Sequence, residues 1–168
     1  MWFLRAALLL PALLLPAALL PQALSAETIA IAARHTNDHE GADLLVALVE
    51  QGAMEYFFQA GHIVFNLPSD PDIPMTVERA LDAARAGGAS HIVMLDVTLE
   101  PHGPRSSTPR KAVVILLEVE TGVELERRVF DAATLDRVRE LSPQAIAERL
   151  GSAASEAVAD RIGEGGSW

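Results

Sequence analysis

The chain contains no cysteine. Even in an oxidising compartment it forms no disulfide, and it offers no thiol for lipid attachment. Aromatic residues make up only 5% of the 168, so its core has to be built from aliphatic side chains and alanine. Basic residues are few, 13 against 23 acidic ones, for a net charge of −10. That balance argues against nucleic acid as a partner and against general adhesion to anionic lipid. Several chemical signatures are missing too. No Gly-x-Ser-x-Gly elbow, phosphate-cradling glycine loop or zincin helix is present. Gly87-Gly88 follows an expected helix rather than preceding one, so it reads as a helix end. No internal repeat is found.

The first residues read as an export signal. Arg5 supplies the positive charge, and the apolar run Ala6 to Leu20 is broken by Pro11 and Pro16. Leu24-Ser25-Ala26 then offers small residues for cleavage, after Ala26 or after Ser25. The run is shorter than the ~20 residues that a membrane span needs. Cleavage after Ala26 leaves 142 residues and, with Arg5 removed, a net charge of −11. The expectation is a signal peptide over 1–26, one α/β domain over 27–162 and a flexible tail over 163–168. Such a product resides in the periplasm or outside the cell, with no stable membrane insertion.

The stretch Gly87 to Glu100 organises the rest. Two glycines end a helix, and Ile92 to Leu95 is then continuously apolar, as in a strand covered on both faces. From Leu95 the pattern alternates, with Leu95, Val97 and Leu99 on one side and Asp96, Thr98 and Glu100 on the other. Before this strand, helices and strands take turns. Thr28 to Ala33 is a first strand, and Leu44, Leu45, Leu48, Val49, Ala53, Tyr56, Phe57 and Ala60 fall at helical spacing. Asn37 with Glu40 reads as a capping box for that helix, and Gly61 closes it. His62 to Asn66 is a second strand. Val77, Ala80, Leu81 and Ala84 form a second helix face. Two β-α-β units with short connections imply parallel strands and right-handed crossovers.

After the stretch come hairpins. Pro101 to Lys111 has the composition of an exposed loop, and Ala112 to Glu120 reads as a fourth strand. Thr121-Gly122 is a turn, and Val123 to Phe130 is a fifth strand whose charges suit a protected edge. Ala132 to Leu141 reads as a short helical piece. Ser142 caps a last helix with Pro143 at its first position, and Ile146, Leu150, Ala154, Ala157, Val158 and Ile162 form its stripe. The expected fold is α/β, a single three-layer domain. It has a mixed five-stranded sheet in the order 2-1-3-4-5, the chain order β-α-β-α-β-β-β-α, and helices on both faces.

Few residues suggest chemistry. His35, Asp38, His39 and Glu40 cluster after the first strand, where open α/β sheets bind ligands, and could ligate a divalent ion. Against this, the same acids suit a helix start. His62 and His91 begin strands at the other end of the sheet, and read as half-exposed and satisfied. Arg105, Arg110 and Lys111 gather without an acid among them at the expected tip of a long hairpin. They form a basic patch on an acidic protein, suited to an acidic partner surface.

Gly88-Ala89-Ser90-His91-Ile92-Val93-Met94 resembles the glycine-alanine entry into the third strand of a group of exported envelope domains. Glu118-Val119-Glu120-Thr121-Gly122-Val123-Glu124-Leu125 resembles that group's later threonine-glycine hairpin. The group includes the curli-secretion protein CsgG, the LpoB-like lipoprotein activators of penicillin-binding proteins, and the TolB amino-terminal domain. This chain lacks the lipid-bearing cysteine of those lipoproteins and the propeller of TolB. The resemblance implies a non-enzymatic module, without cofactor, that docks a protein partner in the bacterial cell envelope. A small periplasmic metal or ligand binder using the His35–Glu40 loop is the alternative.

Overall fold

Residues 26–35, 41–68, 75–101 and 106–162 are described by the structure, a computed structural model. They form β1 (Thr28–His35), α1 (Ala42–Gln59), β2 (Ile63–Asn66), α2 (Val77–Ala86), β3 (His91–Pro101), β4 (Ser107–Glu118) and β5 (Glu124–Asp131). Two short 3₁₀ turns at Ala132–Thr134 and Val138–Glu140 lead to α3 (Pro143–Ala159). The strands make one sheet in the order β2-β1-β3-β4-β5, as the sequence pattern implies. β1 runs parallel to both β2 and β3. β3, β4 and β5 are antiparallel neighbours.

Strand alternation sorts the core into two layers. Ile29, Ile31, Val93, Leu95, Val97, Val114 and Leu116 face α1 and α3. Ala30, Ala32, Ile92, Met94, Ile115 and Leu117 face the α2 side. Placing β1 between β2 and β3 sends the two crossover helices to opposite faces. It also explains why Ile92 to Leu95 is buried throughout, whereas Asp96 and Thr98 are partly exposed. Asp96 reaches back across the sheet: Nε and Nη2 of Arg34 donate to its two carboxylate oxygens. Arg34 Nη1 donates to the Met75 carbonyl at 2.6 Å, which ties the entry to α2 onto the end of β1.

α1 and α3 approach each other closely. A Cβ on Gly52 would stand 2.0 Å from the Glu148 carbonyl oxygen, and one on Gly151 would stand 1.9 Å from that of Val49. The backbones therefore touch, which only glycine permits. This approach buries Ala147, Gly151 and Ser155 as well as the expected Ile146, Leu150, Ala154 and Val158. Ser142 Oγ accepts from the Ala145 N–H at 3.2 Å, with Pro143 in the first turn. Gly61 and Gly88 take positive φ at the ends of α1 and α2.

Four expectations need correction. First, α1 starts at Ala42, so Asn37 is not its cap; Asn37 and Glu40 lie outside the described residues. Gly41, at φ 83°, turns the chain into the helix, with no side-chain cap. Second, Leu44 is 58% exposed rather than part of the core-facing stripe. Third, much of Pro101 to Lys111 is strand, not loop. Prolines belong at strand ends and bulges, and Pro101 ends β3 while Pro109 adjoins a register shift opposite Thr98/Leu99. Ser107 and Pro109 are buried there, so pairing continues through residues whose composition suggested a loop. Fourth, His91 is buried, not half-exposed.

Candidate functional site

The residues singled out from sequence do not converge. His35 ends β1, half-buried, with Nε2 3.3 Å from Asp43 Oδ1 in the first turn of α1. Asp38, His39 and Glu40 lie outside the described residues. Among the described residues, no group of three or more histidines or acids is arranged to hold a metal ion.

Arg110 and Lys111 belong to β4 rather than to a hairpin tip, and Arg105 lies outside the described residues. Lys111 stands opposite Thr98 on one side and Asp131 on the other. Arg110 is the extra residue at the bulge, and its Nη2 lies 3.8 Å from Asp131 Oδ2. Both cations are exposed, and both stand beside Asp131.

At the other end of the sheet, His91 Nδ1 lies 3.0 Å from Ser90 Oγ. The Ser90 hydroxyl donates to Glu27 Oε2 at 2.7 Å, and the Glu27 N–H donates to His62 Nδ1 at 3.3 Å. Burial holds the His91 imidazole below its ordinary value, against the pull of Glu27 and Glu118, with His62 adding to the depression. The set looks like serine, histidine and carboxylate, but its order is wrong for nucleophilic catalysis. An activated serine gives its proton to an imidazole that a carboxylate orients. Here the serine hydroxyl lies between the other two and donates directly to the carboxylate. The arrangement fastens Glu27 and the start of β3 together.

Two surfaces remain to be considered: the polar side of β3 was read from the sequence, whereas the groove beside α1 was not. One is the α2-side face of the antiparallel strands, where no described helix packs beyond α2. Across it run the rows Asp96–Val113–Val129 and Thr98–Lys111–Asp131. Val129 is 57% exposed. Arg127 flanks it and is paired with Glu124 at 2.8 and 2.6 Å, which raises the guanidinium's affinity for its proton. The opposite face of the same strands is covered by α3.

The other surface is a groove of about 490 Å³ between α1 and the edge strand β2. Glu50, Met54, Glu55, Phe58, Val64 and Asn66 line it. Phe58 is 69% exposed. Burial pushes the Glu50 carboxyl up to about 7, and no hydrogen bond or ion pair to Glu50 is formed among the described residues. The available signal was the width of α1's apolar surface. Leu44, Met54 and Phe58 fall outside a single core-facing stripe, so some of them had to face water or a partner.

No family model matches the chain, and no curated protein matches it. Solved structures similar to it include the PelC dodecamer from Paraburkholderia phytofirmans, at 14% identity and a TM-score of 0.48, covering 76% of this chain and 83% of that one. TolB from Acinetobacter baumannii is similar at 15% identity and a TM-score of 0.43, over 82% of this chain and 28% of TolB. The LpoB C-terminal domain from Salmonella enterica is similar at 14% identity and a TM-score of 0.35, over 66% of this chain and 84% of that domain. TolB and LpoB are two of the proteins whose turn motifs the sequence resembles.

Proposed function

We propose that the chain is an exported, non-enzymatic accessory module of the bacterial cell envelope that binds a protein partner. The carrying observation is the face of the antiparallel strands that no described helix covers beyond α2, with apolar Val113 and Val129 set among the ion-paired or charged Asp96, Lys111, Arg127 and Asp131. An apolar centre with a polar rim is the general plan of a protein interface. Its basic end, Lys111 with Arg110, and Arg105 a few residues earlier in the sequence, would meet acidic groups of the partner while the acidic body repels incorrect ones. The export signal read in residues 1–26 supports a periplasmic or secreted location. No described helix is long and apolar enough to cross a membrane.

The test is crosslinking in living cells followed by recovery of the tagged protein. The expected result is one envelope protein recovered with the wild type. Val129→Asp, and separately the triple variant Arg105→Glu, Arg110→Glu, Lys111→Glu, should lower that recovery with the melting temperature unchanged. The absence of any specific partner would sink the reading.

A further inference from the structure

β2 is a four-residue strand at the edge of the sheet. The Ile63 and Leu67 amides donate inward to the carbonyls of Glu27 and Ile31, at 2.9 and 2.8 Å. Backbone groups alternate in direction along a strand, so Val64 and Asn66 direct their N–H and C=O groups away from β1. No described backbone group pairs with them. The side chains of these same two residues line the groove against α1. The groove thus lies beside a strand edge that no described strand pairs with, within reach of the alternate side chains of any strand added there.

The groove's volume is within the range of ligand-binding clefts. Its walls are apolar at Met54, Phe58 and Val64, and acidic at Glu50 and Glu55, with no lysine or arginine among its lining residues. Glu55 accepts from Gln59 Nε2 at 2.6 Å, whereas Glu50 is half-buried without such a donor. A protein surface seldom leaves a large aromatic exposed beside an unpaired strand edge without a protective device. Here the edge carries neither proline nor lysine between Ile63 and Asn66.

We propose that this groove takes an extended segment of a partner polypeptide, which pairs with the outer edge of β2 and inserts apolar side chains against Met54 and Phe58 and a lysine or arginine against Glu50. This rests on the interaction-module reading and names a second surface and the chemistry of what it binds. Main-chain pairing supplies sequence-independent affinity, and the groove selects alternate side chains. The basic residue supplies the donor that Glu50 lacks, which favours its charged form. Because β2 is short, the recognised core is about four residues long, or about 13 Å of extended chain.

The experiment is selection from a library of displayed twelve-residue random peptides against the purified protein at pH 7.5. An enriched peptide is then synthesised for affinity measurement, together with a version carrying norleucine in place of its basic residue. Enriched sequences should alternate apolar residues and contain a single lysine or arginine. Phe58→Ser and Asn66→Pro, both at exposed positions, should each weaken binding tenfold or more without lowering the melting temperature. Asn66→Pro removes an outward N–H while leaving the bonds to β1. Glu50→Gln should weaken the basic peptide at least threefold and leave the norleucine version unchanged. Binding that is indifferent to Phe58→Ser and Asn66→Pro, or no enrichment, overturns the proposal. So does self-association lost in Phe58→Ser, which would make a second copy the occupant. A cellular partner recovered equally with wild type and groove variants also removes this site, while the interaction-module reading stands.

Discussion

The parallel and antiparallel halves of one sheet solve different problems. Around β1 and the start of β3, helices lie on both sides, and Ile29, Ala30, Ile31, Ile92 and Val93 are fully buried. In β5, on the far side, no residue is fully buried, and Val129 is 57% exposed. Two-sided burial concentrates stabilisation in the first half, at ~25 cal/mol per Å² of apolar surface removed from water. The second half leaves a surface that no described helix covers. Continuous apolar runs and strict alternation are the sequence forms of these two situations.

Substitution should expose the difference most strongly at Val93. Val93 is fully buried, between Ile31 and Leu116 in the neighbouring strands. Val93→Asp places an unpaired carboxylate there, at a cost of several kcal/mol out of the ~5–15 that hold a domain together. The expected outcome is loss of the cooperative unfolding transition in urea. A stable Val93→Asp protein would mean that the parallel half is not the anchor.

Gly151→Ala should come next. Alanine removes the helical cost of glycine, ~1 kcal/mol, but its Cβ meets the Val49 carbonyl oxygen, a backbone atom that cannot step aside. Overpacking typically costs ~1–3 kcal/mol, occasionally more. The net expectation is a loss of about 2 kcal/mol in urea titration. A gain would show that α1 and α3 can separate freely.

A smaller effect, of opposite sign, is expected at Glu50. Its carboxyl rises from an ordinary 4.5 to about 7 through burial. The folded state therefore favours the protonated form. That advantage is full below pH 4.5 and is lost as the pH rises through 7. Glutamine imitates the protonated form, so Glu50→Gln should stabilise at pH 8 and be neutral at pH 4.5. Because solvent reaches the group, the gain should be about 1–2 kcal/mol rather than the full value of the shift. Thermal melts at the two pH values decide it. An equal effect at both would trace it to packing instead of charge.

The fold was legible because its punctuation is local. Gly61, Gly87-Gly88, Thr121-Gly122 and Ser142-Pro143 each mark an element end by backbone chemistry that needs no partner. The strand order follows from β-α-β connection rules and from the change of pattern at Leu95. What escaped depended on distant residues. Gly52 and Gly151 look like weak points in two helices until each is seen under the other helix's carbonyl. Pro109 suggests a loop until the bulge opposite Thr98/Leu99 is known. Phe58 and Glu50 acquire meaning only beside Val64 and Asn66, because a groove belongs to two elements and is written in neither. His35 could be placed, but its contact with Asp43 depends on how the chain enters α1.

The smallest effect is expected on the open face, at Thr98. Thr98 is partly exposed on the side of β3 that carries no described helix, directly opposite Lys111. Replacing it with aspartate sacrifices strand preference, which spans ~1 kcal/mol in all. The new carboxylate is two residues from Asp96 and from Glu100, but Asp96 is already held by Arg34. Lys111 faces the new charge across the strands, and an opposite-charge pair there contributes ~0.2–1 kcal/mol. These contributions nearly cancel, so Thr98→Asp should shift stability by less than ~1 kcal/mol. Repeating the substitution in a Lys111→Ala background should enlarge the loss by a few tenths to ~1 kcal/mol, and salt should shrink that difference by screening the pair. A loss rivalling that of Val93→Asp would mean that this face is covered after all, and that the two halves of the sheet are alike.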